Sequence, residues 1–252
     1  MKIPICVACD EHQAKYVPVL LNSVVKNTDA DIRVTVLSRG ISEADREAIR
    51  RVADSRFVDM TEVSYGNPKL LKHTTVSTMD RLFIPDIVEY DKVIYLDVDT
   101  IVDADIAELY AVDTSDKGLA AKTSSMRGYR TTAEICERQP RAVEMLRAAQ
   151  IKPDSQSFNA GVLVMDLDKL WKNDFTDITT GYVERFGIND QIAISLYANG
   201  DFVEIPVAWN VFVRQEDPEE KKLYHWAGPY KPWDAEEVPF ADVWKKYIPR
   251  ST

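Results

Sequence analysis

The stretch DKVIYLDVDTIV, residues 91–102, is the most informative one for the fold. Its apolar run leads directly into two closely spaced aspartates. The apolar run predicts a buried strand, and functional side chains often follow such strands. IPICVAC (residues 3–9) and DIRVTVLSRG (31–40) predict further strands, and VPVLLNSVVKNT (17–28) has helical spacing. FNAGVLVMDLDKL (158–170) predicts a strand that leads into a helix. Strands alternating with helices predict an α/β fold with a mainly parallel central sheet flanked by helices.

Three other segments carry weaker local signals. Ser42 stands three residues before Asp45, which is a capping-box variant at the start of an amphipathic helix. STMDRLFIPDIV (77–88) has helical character that Pro85 is expected to interrupt, because proline breaks helix hydrogen bonding. DFVEIPVAWN (201–210) predicts another strand.

Composition narrows the class of protein. The chain has 252 residues, 45% of them hydrophobic, which fits one large α/β domain. Its net charge of −10 argues against nucleic-acid binding, which needs clustered Lys and Arg. Cys6 and Cys9 form a CxxC spacing inside an apolar strand, so we expect two buried thiols on opposite faces of the sheet. No apolar stretch is long enough to span a membrane, and a cytoplasmic location is expected.

Asp97 and Asp99 are candidate metal ligands. If the strand continues through them, residues two apart share one face, and two neighbouring carboxylates are costly without a cation between them. A divalent ion with oxygen ligands is the natural partner. An ordinary pair of surface aspartates at a strand end explains the DxD motif equally well.

The segment YHWAGPYKPW, residues 224–233, combines aromatic rings, prolines, a glycine and a lysine. His225 is a candidate third metal ligand, although a packed histidine between aromatic neighbours is the simpler interpretation. Gly228 permits close backbone approach, and Lys231 supplies a mobile positive charge suited to phosphate. A bound metal ion, the unobstructed backbone of Gly228 and the charge of Lys231 together predict a binding site for a diphosphate.

Four blocks, VACDEHQAKY, DKVIYLDVDT, FNAGVLVMDL with NDQ, and HWAGPYKPW, together resemble glycosyltransferase family 8, which includes glycogenin and bacterial lipooligosaccharide galactosyltransferases. The resemblance implies a GT-A fold, a UDP-sugar donor, Mn²⁺ with Mg²⁺ as an alternative, and retention at the anomeric carbon. It implies a single domain over 1–252. Within it, 1–115 is the nucleotide-binding half, 123–157 a lid and acceptor segment, and 158–235 the half that completes the donor-sugar and metal sites.

The resemblance also implies roles for individual residues. Asp97, Asp99 and His225 match the metal ligands, Gly228 and Lys231 match diphosphate contacts, and Gln191 and Asp190 match residues at the reacting sugar. Asp10 matches the acid that recognises uracil. The aromatic residue that commonly follows this acid is missing in Asp10-Glu11-His12-Gln13, so either His12 stacks on uracil or no side chain does. The full donor-binding set is Ala8, Asp10, His12, Arg81, Asp97, Val98, Asp99, Asn159, Ala160, Asp190, Gln191, His225, Gly228 and Lys231.

The implied activity is transfer of galactose or glucose from UDP-galactose or UDP-glucose to an oligosaccharide or glycolipid, as in lipopolysaccharide biosynthesis. Gln191 is a poor nucleophile, so front-side attack is favoured, with Asp190 as nucleophile the minor option. In the acceptor segment, Arg127, Tyr129 and Arg130 are candidates for binding an acidic saccharide, or they form a solvated helical surface. Because only a short stretch follows Trp233, we expect at most a peripheral membrane contact at the inner face.

Two alternative functions remain open at this point. A nucleotide-sugar-binding protein without turnover predicts damage to the DxD motif, His225 or Lys231, and all are intact. A sugar nucleotidyltransferase predicts a glycine-rich basic loop after the first strand, but CDEHQAKY contains no glycine.

Overall fold

The structure is a computed structural model that describes residues 1–66, 68–70, 75–126, 128–152, 154–234 and 237–250. Strands are present in four of the segments for which the sequence predicts them, residues 3–9, 31–40, 91–102 and 158–170. The strands are β1 Lys2–Asp10, β2 Asp31–Arg39, β3 Asp54–Asp59, β4 Lys92–Leu96, β5 Thr100–Val102, β6 Leu119–Thr123, β7 Phe158–Asp166, β8 Val203–Glu204, β9 Val211–Phe212 and β10 Leu223–His225.

The main sheet has the strand order β3-β2-β1-β4-β7-β6-β8. Strands β1 to β4 run parallel to their neighbours within that half, whereas β7 runs antiparallel to both β4 and β6. Separate apolar clusters cover the two faces of the sheet, with Cys6 in one cluster and Cys9 in the other. Both cysteines are buried free thiols, as the alternation of side chains along a strand predicts.

The helices lie between the strands and cover the sheet. Ser42 caps its helix, and the reciprocal bonds between Ser42 and Asp45 confirm the predicted capping box. The helices are α1 Val17–Asn27, α2 Glu43–Arg50, α3 Ile84–Ile87, α4 Ala107–Tyr110, α5 Thr132–Cys136, α6 Ala142–Ala148, α7 Leu167–Lys172, α8 Phe175–Phe186, α9 Asp190–Ala198 and α10 Ala241–Lys246.

The DxD motif does not lie on a continuous strand. Strand β4 ends at Leu96, and residues 97–99 form a turn that leads into β5. The expected reason for convergence, two residues on one strand face, is therefore wrong. Strand β5 belongs to a second sheet, in which β10 pairs antiparallel with it and places His225 opposite Thr100. This pairing brings His225 to the aspartates.

Two other local expectations were wrong. Val76–Phe83 is a 3-10 helix, and Pro85 lies in the first turn of α3 instead of interrupting a helix, since a first-turn proline needs no hydrogen-bond partner. The segment 201–210 holds only the two-residue strand β8 and a 3-10 helix at Val207–Trp209. None of the helices in the described ranges is both long and apolar enough to cross a membrane.

Candidate functional site

Asp97, Asp99 and His225 form a cluster that can hold a divalent ion. One ligand atom from each residue lies within 4.8 Å of the other two. The His225 Nε2 atom is 3.4 Å from Asp99 Oδ1 and 3.9 Å from Asp97 Oδ2. His225 is only 2% exposed, so its ring is held in place by the surrounding protein. Two carboxylates and an imidazole are a ligand set suited to Mn²⁺ or Mg²⁺ in oxygen-rich sites.

Gly161 on β7 makes room for these ligands. A Cβ atom at this position would overlap His225 Cε1 and Asp97 Oδ2. The Gly161 carbonyl also accepts a hydrogen bond from the Asp97 backbone N–H at 2.8 Å. Glycine at this position therefore allows the end of β4 and the histidine of β10 to converge. It is needed to leave space for these side chains, and not for a special backbone conformation.

A chain of hydrogen bonds fixes which His225 nitrogen faces the aspartates. The Gly161 backbone N–H donates to Asn159 Oδ1 at 3.0 Å, so that oxygen is an acceptor and also receives the Asn210 Nδ2–H at 3.1 Å. The Asn210 Oδ1 atom is thereby turned towards His225 Nδ1, 2.8 Å away. His225 Nδ1 must then carry a proton, so Nε2 is the nitrogen that faces the carboxylates and is available to a metal ion.

Arg81 is the buried centre of the acidic site. Its guanidinium is 2.8 Å from Asp97 Oδ1 and 3.0 Å from Asp190 Oδ2, and it also donates to the Ala160 carbonyl. The charge lies 4.4 Å above the Tyr95 ring, whose hydroxyl donates to Asp97 Oδ1. Arg81 therefore leaves Asp97 Oδ2 as the oxygen that faces His225.

Asp190 and Gln191 open α9 beside this centre. Burial raises the pKa of Asp190, and the ion pair with Arg81 opposes that shift. Gln191 Oε1 accepts hydrogen bonds from Asn159 Nδ2 at 3.2 Å and from the Ala160 backbone N–H at 3.3 Å. These two bonds orient the amide so that its oxygen points towards β7.

The aromatic motif forms a rigid frame around Lys231. The Lys231 ammonium donates to Asp99 Oδ2 and, at 3.1 Å, to the Trp226 carbonyl. Burial of Asp99 opposes ionisation, but Lys231 and His225 hold the pKa of this carboxyl well below its ordinary value. Gly228 has φ +105 and open space around it. Glycine is therefore favoured here by the left-handed backbone conformation and not by a close contact. Trp233 stacks on Tyr16 with ring centroids 3.9 Å apart.

One cavity of about 660 Å³ brings most of the sequence-predicted residues together. It is within the size range of small-molecule sites. The predicted residues that line it are Ala8, Arg81, Asp97, Val98, Asp99, Asn159, Asp190, Gln191, His225, Gly228 and Lys231.

Three predicted residues lie outside this lining. Ala160 is buried, and its backbone bonds Arg81 and Gln191. The Asp10 Oδ1 atom accepts hydrogen bonds from the backbone N–H groups of His12 and Gln13 at 3.0 and 3.1 Å. The His12 side chain is 81% exposed. Gln13, which the sequence analysis did not single out, is the residue of this turn that lines the cavity.

The segment 123–157 supplies one wall of the cavity, including Tyr129. Arg130 faces Glu134 at 3.7 Å and is not part of the wall, and Arg127 lies outside the described residues. Asn210, Arg138 and Arg214 were missed by the sequence analysis. No local motif marks these three residues, because what brings them to the site is the folding of the chain and not their sequence spacing.

The model for Glycosyl transferase family 8 matches residues 4–237. The chain belongs to glycosyltransferase family 8. This membership supports transfer of a glycosyl group, and it confirms the family that the four sequence blocks indicated.

Relatives in this family cover nearly the whole chain. Human glycosyltransferase 8 domain-containing protein 2 is 24% identical, over 98% of this chain and 82% of its own length. General stress protein A of Bacillus subtilis is 19% identical, over 96% of this chain and 92% of its own length.

Solved structures confirm the GT-A fold. The galactosyltransferase LgtC, in complex with donor and acceptor sugar analogs, has a TM-score of 0.79 at 26% identity, over 97% of this chain and 95% of that chain. The bifunctional glycosyltransferase WbbM in its apo form has a TM-score of 0.81 at 22% identity, and this chain spans 49% of its length.

We predict that Gly161→Ala abolishes Mn²⁺ binding, because the added methyl group separates His225 from Asp97. Calorimetric titration with Mn²⁺ measures the effect. Gly181→Ala is the control, since a Cβ atom there meets nothing within 4 Å and the position lies in helix α8. Equal Mn²⁺ affinity in the two variants would contradict the packing argument.

We predict that Asn210→Ala weakens Mn²⁺ binding by about 10–100-fold, the usual cost of removing the partner that orients a metal-binding histidine. The mutation frees the His225 ring to change tautomer while leaving all three ligands in place. Nitrogen NMR of His225 tests the cause directly: in wild type Nδ1 should carry a proton, and a neutral ring protonated only on Nε2 would refute the orientation.

Proposed function

We propose that this chain is a metal-dependent, retaining hexosyltransferase that moves galactose or glucose from a UDP-sugar to a saccharide hydroxyl. The observation that carries the proposal is the convergence of the Asp97, Asp99 and His225 ligands with Lys231 in one cavity. The same cavity includes Asp190 and Gln191. A site for a metal-bound diphosphate therefore adjoins polar groups suited to a sugar.

The residues present fit a divalent ion such as Mn²⁺ or Mg²⁺. Asp97 and Asp99 supply anionic oxygens, and His225 supplies the Nε2 lone pair that Asn210 orients. When bound, such an ion stabilises the negative charge that grows on a leaving nucleotide diphosphate. Lys231, now bonded to Asp99, is placed to contact the same diphosphate and add a second positive charge.

Nucleotide recognition is assigned to the carboxyl end of β1. We propose that Asp10 accepts the N3–H of uracil, because its turn adjoins Ala8 and Gln13 on the cavity wall. His12 is too exposed in this structure to serve as a stacking platform without moving. Gln13 therefore replaces it as the side chain beside the nucleotide.

The geometry favours front-side attack over a covalent intermediate. A nucleophilic carboxylate needs an oxygen free to reach the anomeric carbon, but Asp190 is 7% exposed and ion-paired with Arg81. Gln191 is a poor nucleophile because its amide oxygen carries no full negative charge, and hydrogen bonds hold its Oε1 towards Asn159 and Ala160. In the front-side route the acceptor hydroxyl attacks from the face that UDP leaves, and a phosphate oxygen of UDP takes its proton.

The first test concerns donor and metal together. We expect slow hydrolysis of UDP-galactose or UDP-glucose, but not of GDP-sugars, in the presence of Mn²⁺, detected as release of the nucleotide. Asp97→Ala, Asp99→Ala and His225→Ala should lose Mn²⁺ binding and hydrolysis together, since each removes one ligand. Asp91→Ala, exposed just before β4, is the control. Full activity in EDTA would refute the metal assignment, and UDP-sugar binding without any hydrolysis would favour a binding protein.

The second test separates the two retaining mechanisms. In front-side attack Gln191 only positions the donor, so Gln191→Ala should lower kcat by about 10–1,000-fold and leave residual retaining transfer. Asp190→Asn would abolish turnover if Asp190 were the nucleophile. Intact mass spectrometry of wild-type enzyme quenched with donor alone gives the decision, because a glycosyl adduct on Asp190 would overturn front-side attack.

A further inference from the structure

Arg138 is held against an aromatic ring at the cavity wall. Its guanidinium carbon lies 4.3 Å from the Tyr129 ring centroid, and its Nη1 donates to the Tyr129 hydroxyl at 3.0 Å. Gly128 leaves room for the guanidinium group, because a Cβ atom at that position would overlap Arg138 Nη2. Arg138 and Tyr129 both line the cavity. The arginine is thus positioned by its neighbours although much of it remains accessible.

Arg214 packs against a tyrosine ring from a different part of the chain. Its guanidinium carbon lies 4.1 Å from the centroid of the Tyr230 ring, in the loop between His225 and Lys231. Arg214 and Tyr230 also line the cavity, and Tyr230 is 55% exposed. Two arginines from separate segments are therefore each supported on a tyrosine around one cavity. A planar guanidinium fixed in this way is well suited to bidentate binding of a carboxylate or phosphate.

Arg138 and Arg214 differ from Arg81 and Lys231 in having no salt-bridge partner among the described residues. Arg81 pairs with Asp97 and Asp190, and Lys231 pairs with Asp99. These acids are the carboxylates of the described cavity lining. Arg138 and Arg214, by contrast, have no carboxylate within 4.0 Å in the part of the chain that the structure describes. Excess positive charge in a chain of net charge −10 points to an anionic ligand.

The donor does not account for this excess. A divalent ion and the diphosphate of a UDP-sugar cancel each other's charge, so the arginines stay uncompensated when the donor is bound. Arg138 also comes from the segment 123–157, which contributes none of the three metal ligands. An anionic sugar on the donor is disfavoured, because it would lie beside the Asp190 carboxylate.

We propose that Arg138 and Arg214 form an acceptor subsite for a saccharide that carries a negative charge, either the carboxylate of a hexuronic acid or a sugar phosphate. This inference rests on the proposed function, because it assigns the acceptor of that same cavity. Tyr129 and Tyr230 position the guanidinium groups and offer ring faces to the sugar.

Binding of matched sugars tests the proposal. The probes are methyl glucoside, methyl glucuronide and methyl glucoside 6-phosphate, which differ only in the group at C6. Their affinities are measured by NMR on the full chain loaded with Mg²⁺ and UDP. Wild type should bind at least one anionic probe about tenfold or more tightly than the neutral one, as a charge-assisted contact predicts. The preferred probe distinguishes a carboxylate from a phosphate.

Arg138→Met and Arg214→Met should each remove most of that preference, and added salt should weaken it. Arg147→Met is the matched control, because Arg147 is an exposed arginine of α6 outside the cavity lining. Absence of an anionic preference in wild type, whether all three probes bind equally or none binds, overturns the proposal. So does a variant whose affinity for UDP falls as much as its affinity for the anionic probe, since that arginine would then serve the donor.

Hydrolysis of a UDP-hexose by wild-type protein is measured alongside and depends on no acceptor. Hydrolysis without an anionic preference would refute the subsite alone, whereas absence of hydrolysis with every UDP-sugar would refute the proposed function itself.

Discussion

The buried guanidinium of Arg81 is the interaction on which the site depends. It is 2% exposed and links the end of β4 through Asp97, strand β7 through the Ala160 carbonyl, and helix α9 through Asp190. A buried charge is tolerated only when its partners satisfy it, and breaking such a pair typically costs about 3–5 kcal/mol. Because one guanidinium group contacts all three elements, it fixes the positions of Asp97 and Asp190 relative to each other.

A second constraint is steric and centres on Gly161. Strand β7 must pass close to both Asp97 and His225, and a side chain at this position would occupy the space where the two ligands meet. The backbone of the same residue donates to Asn159, which begins the hydrogen-bond chain through Asn210 to His225. The strand that limits the space thus also orients the imidazole, so packing and ligand chemistry are coupled at one point.

The cavity divides into regions of different charge. Around Arg81 and Lys231 each cation already has a carboxylate partner, and this arrangement suits a metal and a diphosphate. Around Tyr129 and Tyr230 the arginines are held by aromatic rings and remain available to a ligand. The first region is where we propose that the metal and the diphosphate bind, and the second is the proposed acceptor subsite.

The sequence by itself determined the α/β fold and the family, and it singled out many of the residues that line the cavity, because apolar runs and the four motif blocks are local signals. It also predicted the capping box and the opposed Cys6 and Cys9, which follow from backbone periodicity. Only the tertiary structure decided that the DxD motif is a turn, because Thr100 leaves the main sheet to pair with His225 on β10. Asn210, Arg138 and Arg214 likewise required the fold, since each acts through a partner that sequence spacing does not reveal. Local patterns report on backbone periodicity, whereas ligand orientation depends on contacts between distant segments.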